Sequence, residues 1–133
     1  MDIFETRDEH GVTIAIDRSL DLTSAGDLDK ALALLMAKGD EAIFVNIAGV
    51  QSIDSAGLTV FLKWHRAALA KNRRMALVGT NEFHRKLLEI TRLDAELVVL
   101  DRPGGSRVSP RERTAVWQRG RGGDLASELQ RVL

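Results

Sequence analysis

The chain has 133 residues, 44% of them hydrophobic, with no net formal charge and no cysteine. Such a length and composition suit a single domain with its own core, and the missing cysteines exclude disulfides and thiolate metal sites. No run approaches the ~18 apolar residues of a membrane span, and Met1-Asp2-Ile3-Phe4-Glu5 is neither basic nor a long apolar stretch, so the expectation is a cytoplasmic protein without a signal peptide.

Phe4 to Thr6 reads as a short edge strand. Val12, Ile14 and Ile16 alternate with Thr13 and Ala15 as a second strand, and His10-Gly11 turns the chain between them into a hairpin. Ser24, with Asp27 three residues on, reads as the cap of a helix carrying Leu28, Ala31, Leu32 and Leu35, and Lys38-Gly39 ends it. Ala42 to Ile47 is apolar apart from Asn46, as an inner strand requires. The next helix follows Asp54 and sets Leu58, Phe61, Leu62, His65 and Leu69 on one side. Met75 to Val78 is a further strand. Asn81 caps a helix with Phe83, Leu87 and Ile90, and Leu97 to Leu100 is a last short strand. The order β-β-α-β-α-β-α-β predicts an α/β fold: a mixed, mostly parallel sheet with right-handed βα crossovers and an N-terminal β-hairpin.

Composition divides the chain after Leu100. Residues 1–100 carry 12 Lys and Arg against 15 Asp and Glu, whereas residues 101–133 carry 7 Arg against 4 acids. Residues 1–100 therefore read as one mildly acidic domain. Asp101-Arg102-Pro103-Gly104-Gly105-Ser106 reads as a linker-like break into a basic Gly/Arg-rich tail, residues 101–133, with a short terminal helix over Asp124–Leu133. Residues 101–123 are expected to be weakly ordered.

Enzyme chemistry finds no support. His10, His65 and His84 lack zinc spacing, and neither phosphate loop motif occurs. Ser55 and His65 are ten residues apart on one helix, about 15 Å at 1.5 Å per residue, which defeats a Ser-His-Asp arrangement. His65 reads as a packing residue. The expectation is a non-enzyme with no metal and no cofactor.

The one suggestive place is Ile53-Asp54-Ser55-Ala56-Gly57, where an inner strand hands over to a helix. Both Asp54 and Ser55 suit an N-cap. A helix start also has unpaired N–H groups and partial positive charge, so a phosphate is accommodated there. Gly57 would let a partner approach the backbone closely.

The stretch Asn46 to Leu58, with its Ile-Asp-Ser-Ala-Gly-Leu core, resembles the signature of STAS domains of the bacterial anti-sigma factor antagonist type. Leu20-Asp21-Leu22 and Leu87-Leu88-Glu89-Ile90-Thr91-Arg92-Leu93-Asp94 are similar to two further family segments, so the likeness covers residues 3–100 in order. Arg18-Ser19 replace the family's usual Gly-Glu, Asn46 stands where aspartate is common, Arg92 replaces a glycine, and the tail has no counterpart in a minimal member. The resemblance implies an anti-sigma factor antagonist. Its partner would be an anti-sigma factor that is also a serine kinase with a histidine-kinase-like ATPase fold. Phosphorylation of Ser55 would release that partner, and a PP2C-type phosphatase would restore binding. Asp21, Asp54, Ser55, Ala56, Gly57 and Leu58 would form the partner-binding face. Asp21, read as an exposed loop aspartate, would contribute to binding and little to stability. Two alternatives are a non-switching STAS scaffold, with Ser55 as a cap only, and a nucleic-acid-binding adaptor using Arg107, Arg111, Arg113, Arg119 and Arg121 around Trp117.

Overall fold

In the computed structural model, residues 3–108 are described. The hairpin comprises β1 (Ile3–Asp8) and β2 (Gly11–Ile16), paired antiparallel from Ile3↔Ile16 to Asp8↔Gly11. Then come α1 (Leu22–Met36), β3 (Ile43–Asn46), α2 (Ser55–Ala70), β4 (Met75–Val78), α3 (Glu82–Ile90) and a 3-10 turn at Leu93–Ala95. The sheet order is β1-β2-β3-β4, with β2, β3 and β4 parallel. The expected α/β architecture with its N-terminal hairpin is therefore present. β1 extends beyond Phe4–Thr6 because every residue of β2 has a partner across the hairpin.

Strands laid down in sequential order with crossovers of one hand bring their helices to one face. The main core records this. Val12, Ile14, Ile43, Val45 and Leu77 share it with Leu28 and Leu32 of α1, Phe61 of α2 and Leu88 of α3. Removing each such side chain from water is worth about 1.5–3 kcal/mol. Alternate strand residues point the other way, where Phe44, Ala76 and Val78 form a separate small cluster with Ala42, Val98 and Leu100.

Several local expectations are corrected. α1 begins at Leu22 with Asp21 as its N-cap, and Ser24 occupies the third helical position. On α2 the buried side is Gly57, Val60, Phe61, His65 and Ala68, while Leu69 is exposed. On α3 the buried residues are His84 and Leu88, and Phe83 and Ile90 face outward. His84 takes the inward position because both ring nitrogens find partners there. Leu97–Leu100 does not form a full strand. It contributes bridges, Leu77↔Val99 and Leu100↔Arg107, with the Leu77 amide donating to Val98 O at 2.9 Å.

Asp101–Ser106 is a closed turn. The Asp101 amide donates to Ser106 O at 2.9 Å, the Ser106 amide returns a bond to Asp101 Oδ1 at 2.8 Å, and the Val108 amide donates to Val99 O at 2.8 Å. Val108 packs on the main core. The expected terminal helix, and the arginines of the tail beyond Arg107, lie outside the described residues.

Candidate functional site

The site is built where two loops leave the sheet. The Leu20 amide donates to Ser52 O at 2.8 Å and the Asp54 amide to Leu20 O at 3.0 Å. This two-bond clasp, a parallel bridge between Leu20 and Ile53, brings the starts of α1 and α2 to one edge. Asp21 and Asp54, the residues that follow the clasp, are the two N-caps.

At α2 the Asp54 carboxylate takes the capping role. Its Oδ1 accepts from the Ala56 amide at 2.9 Å and the Gly57 amide at 3.3 Å. Ser55 is thus the first residue inside the helix rather than its cap. It is exposed. Its carbonyl accepts the Thr59 hydroxyl at 2.7 Å, and among the described residues its own hydroxyl has no hydrogen-bond partner. The serine oxygen therefore stands in water at the positive end of a 16-residue helix.

Gly57 corrects the sequence reading. It is buried, and a Cβ there would meet Leu20 Cβ at 2.9 Å and Ile53 Cγ2 at 3.0 Å. The glycine makes room for the internal clasp and does not open the backbone to a partner. Ala56 and Leu58 are half-buried.

At α1 the cap is more elaborate. Asp21 Oδ1 accepts from the Thr23 and Ser24 amides, both at 3.0 Å. The Ser24 hydroxyl accepts from the Asp21 amide at 2.9 Å and donates to Ser19 O at 2.6 Å. Asp21 is exposed, and its hydrogen bonds from Ser24 hold its carboxyl below the usual aspartate range. Asp21 is therefore structural as well as exposed, contrary to the expectation of a dispensable loop aspartate.

Between the two helix starts runs an open groove of about 370 Å³. Leu22, Ala25 and Gly26 line its α1 side, and Ser55, Thr59 and Lys63 its α2 side. Leu22 is 79% exposed, the most exposed of the large hydrophobic residues among those described. Further along, Asp29 Oδ1 accepts from Lys63 Nζ at 2.9 Å and Trp64 Nε1 at 2.7 Å, fixing the helix pair. The Lys63 contact keeps the Asp29 carboxyl below its usual range.

One supporting residue escaped the sequence reading. His84 is fully buried. Its Nδ1 accepts the Asn81 amide at 3.1 Å, which leaves a proton on Nε2 to donate to Val50 O at 2.6 Å. Val50 belongs to the loop running from β3 to Asp54, so His84 ties α3 to the segment that presents Ser55. Burial pushes its imidazole below the usual histidine value. The signal in the sequence was Asn81 followed three residues later by His84, a capping-box spacing with histidine in the place of Glu. His65, by contrast, is buried on α2 as expected of a packing residue. Among the described residues no group of His, Asp and Glu could hold a metal ion, and no helix is long and apolar enough to cross a membrane.

Comparisons with known proteins agree with this fold. The family model described as "Mlab, STAS domain" matches residues 3–100. An anti-sigma-B factor antagonist of Staphylococcus aureus is 25% identical over 93 residues, covering 70% of this chain and 86% of its own length. The crystal structure of an anti-sigma factor antagonist from Mycobacterium paratuberculosis superposes with a TM-score of 0.67 at 17% identity, covering 75% of this chain and 85% of that one. The anti-sigma factor antagonist SpoIIAA in its unphosphorylated form gives a TM-score of 0.62 at 18% identity, over 90% of this chain and 96% of SpoIIAA. The phosphorylated form of SpoIIAA, a Bacillus cell fate determinant, gives 0.58 at 16% identity, over 85% and 96%.

Proposed function

Because the chain belongs to the STAS domain family, we propose that it is an anti-sigma factor antagonist whose switch is Ser55. The observation that carries this reading is the Ser55 hydroxyl: exposed, without a hydrogen-bond partner among the described residues, and held at the start of α2 by an aspartate that has taken over the capping role. A serine needed only as a cap would bond a backbone amide. The relatives' names supply the class of partner, an anti-sigma factor, and the two forms of SpoIIAA show that a neighbouring fold exists with and without phosphate.

The mechanism follows from charge. The Ala56 and Gly57 amides already bond Asp54. A phosphate on Ser55 adds about −1.5 to −2 charge beside that carboxylate and competes for the same donors. Unphosphorylated, the edge offers Leu22 and the small residues Ala56 and Gly26 as contact surface, with Asp21 and Asp54 at its ends. Phosphorylated, the same edge must be desolvated with two adjacent anions for the partner to bind. The partner would be a serine kinase of the histidine-kinase-like ATPase type, and a PP2C-type phosphatase would reverse the reaction. This chain is then the substrate and binding module, and the catalysis belongs to its partners.

The test is phosphorylation of the purified chain by its cognate anti-sigma kinase, with mass spectrometry to locate the phosphate, and titration of the Ser55→Asp variant against that partner. Phosphate on Ser55 and at least a tenfold loss of affinity for Ser55→Asp, about 1.4 kcal/mol, are expected. Wild-type affinity for Ser55→Asp together with no phosphate on Ser55 would instead make the chain a non-switching STAS scaffold.

A further inference from the structure

A cavity of about 510 Å³ opens near the N-terminal ends of β3 and β4, bounded also by His65 and Leu69 of α2. Its volume lies within the ~300–1,000 Å³ of small-molecule sites. Phe44, Ala76 and Leu100 line it with apolar surface, Arg73 and Arg74 supply positive charge, and the turns holding His10 and Gly104 meet at its rim.

Arg73 is the unusual member. It is only 3% exposed. Nε donates to Glu41 O at 2.6 Å and Nη1 to Leu35 O at 2.8 Å, which fix the guanidinium in place. Nη2 is buried and has no hydrogen-bond partner among the described residues. Buried donors are normally paired, and those of a cation are the costliest to leave alone. Of the nearby carboxylates, Glu41 is engaged with Arg7 at 3.0 Å, and Glu9, the one acid lining the cavity, is exposed at its rim. A rigid guanidinium with an unused donor matches a carboxylate, which would reach Nη2 by displacing the cavity wall that now closes it from solvent, and Arg74 adds a second cation at the exposed rim.

We propose that this cavity binds a small amphiphilic carboxylate, with its apolar body over Phe44, Ala76 and Leu100 and its carboxylate toward Arg73 and Arg74. The site is distinct from the groove between α1 and α2: it sits near the opposite ends of the parallel strands and shares no lining residue with that groove, although His65 and Leu69 set part of its wall on the later turns of α2.

Calorimetric titration of the full chain with decanoate, kept below its micelle-forming concentration, is the test. Saturable one-to-one binding is expected, with no saturable signal from acetate, which lacks the body, or from decylamine, which reverses the charge. Arg74→Glu, an exposed change that leaves the core alone, should weaken decanoate at least tenfold. Arg73→Lys, which keeps the charge and loses the fork, should weaken it as well. If Arg73→Lys proves unfolded by circular dichroism, Arg74→Glu decides alone. Absence of saturable decanoate binding, equal binding of decylamine, or unchanged affinity in Arg74→Glu would each overturn the proposal.

Discussion

α1 and α2 start side by side, each capped by an aspartate, yet their first turns are built to opposite ends. At α1 the third helical residue is Ser24, buried and bonded to both Asp21 and Ser19, so the cap is closed in both directions. At α2 the third residue is Gly57, which has no side chain to return a bond, and the serine has moved to the first, outward position. One cap holds the chain down, and the other leaves a hydroxyl in water. The difference teaches that Ser, Asp and Gly in similar company do different work according to which helical position each occupies. It also assigns the costs: changes at Ser24 should read as stability, and changes at Ser55 as binding.

The largest effect should come from placing the same substitution in both caps. Ser24→Asp puts a carboxylate into a buried position, with Asp21 Oδ1 only 3.1 Å from the present hydroxyl. A cost of about 3 kcal/mol or more is expected. Ser55→Asp, exposed at a helix start, should stay within about 0.5 kcal/mol of wild type. Urea unfolding of the two variants side by side checks this, and equal losses would erase the distinction between the caps.

Removing the aspartates should rank the caps directly. Asp21→Ala gives up two amide bonds and loosens Ser24, so it should fall in the upper half of the usual 0.5–2 kcal/mol range for cap loss. Asp54→Ala gives up one good bond and one of 3.3 Å and should fall in the lower half. The Asp21 carboxyl titrates below its usual value, so its contribution is complete above pH of about 4 and is lost as pH falls below that. A denaturation series in which Asp54→Ala is the more damaging variant would reverse the assignment.

Much of this was legible in the sequence. Alternating Val12, Ile14 and Ile16 read as a strand because a period of two sets all three on one face, and the short unbroken run through Val45 suits a strand covered on both faces. The strand-to-helix handover at Ile53–Leu58 stood out because small polar residues interrupt two apolar stretches. Other features were not legible. Asp21 and Ser24 are both good caps, and a capping box bonds in both directions, so residue types alone do not say which one leads. The buried side of α3 was misjudged because apolar size pointed to Phe83 and Ile90, whereas hydrogen bonds at both ring nitrogens carry His84 inside. Arg92 adopts a left-handed conformation, φ 64°, where the family resemblance has glycine; the backbone keeps the bend although the residue that eases it is gone.

His84 extends the comparison to pH, because of the two helix starts it supports the loop before α2 and not the segment before α1. Its folded imidazole is pushed below the usual value by burial, so the folded state binds fewer protons than the unfolded one. Stability should be full above about pH 6.5 and decline as pH falls below it. His65, also lowered by burial, adds to the slope. The hydrogen-exchange protection factor of the Val50 amide, bonded to Ile47 O, should fall in mild acid more than those of Thr23 and Ser24, whose cap carries no histidine. An equal fall in protection at both helix starts would mean that acid acts on the whole fold and not on the loop that presents Ser55.

The smallest expected effect is the most discriminating one. Ser55→Ala removes a hydroxyl that bonds nothing among the described residues, and Asp54 remains to cap α2. Stability should change by less than about 0.5 kcal/mol, well short of a lost N-cap. Ser24→Ala, which leaves the Asp21 amide and Ser19 carbonyl without their partner, should cost about 1–2 kcal/mol by comparison. On the proposed function, the Ser55→Ala chain should also bind an anti-sigma partner as the unmodified protein does and take no phosphate from a cognate kinase. Matched unfolding curves for the two alanine variants, at the same urea midpoint, would mean that Ser55 carries a bond absent from this structure, and the hydroxyl would then be a cap after all.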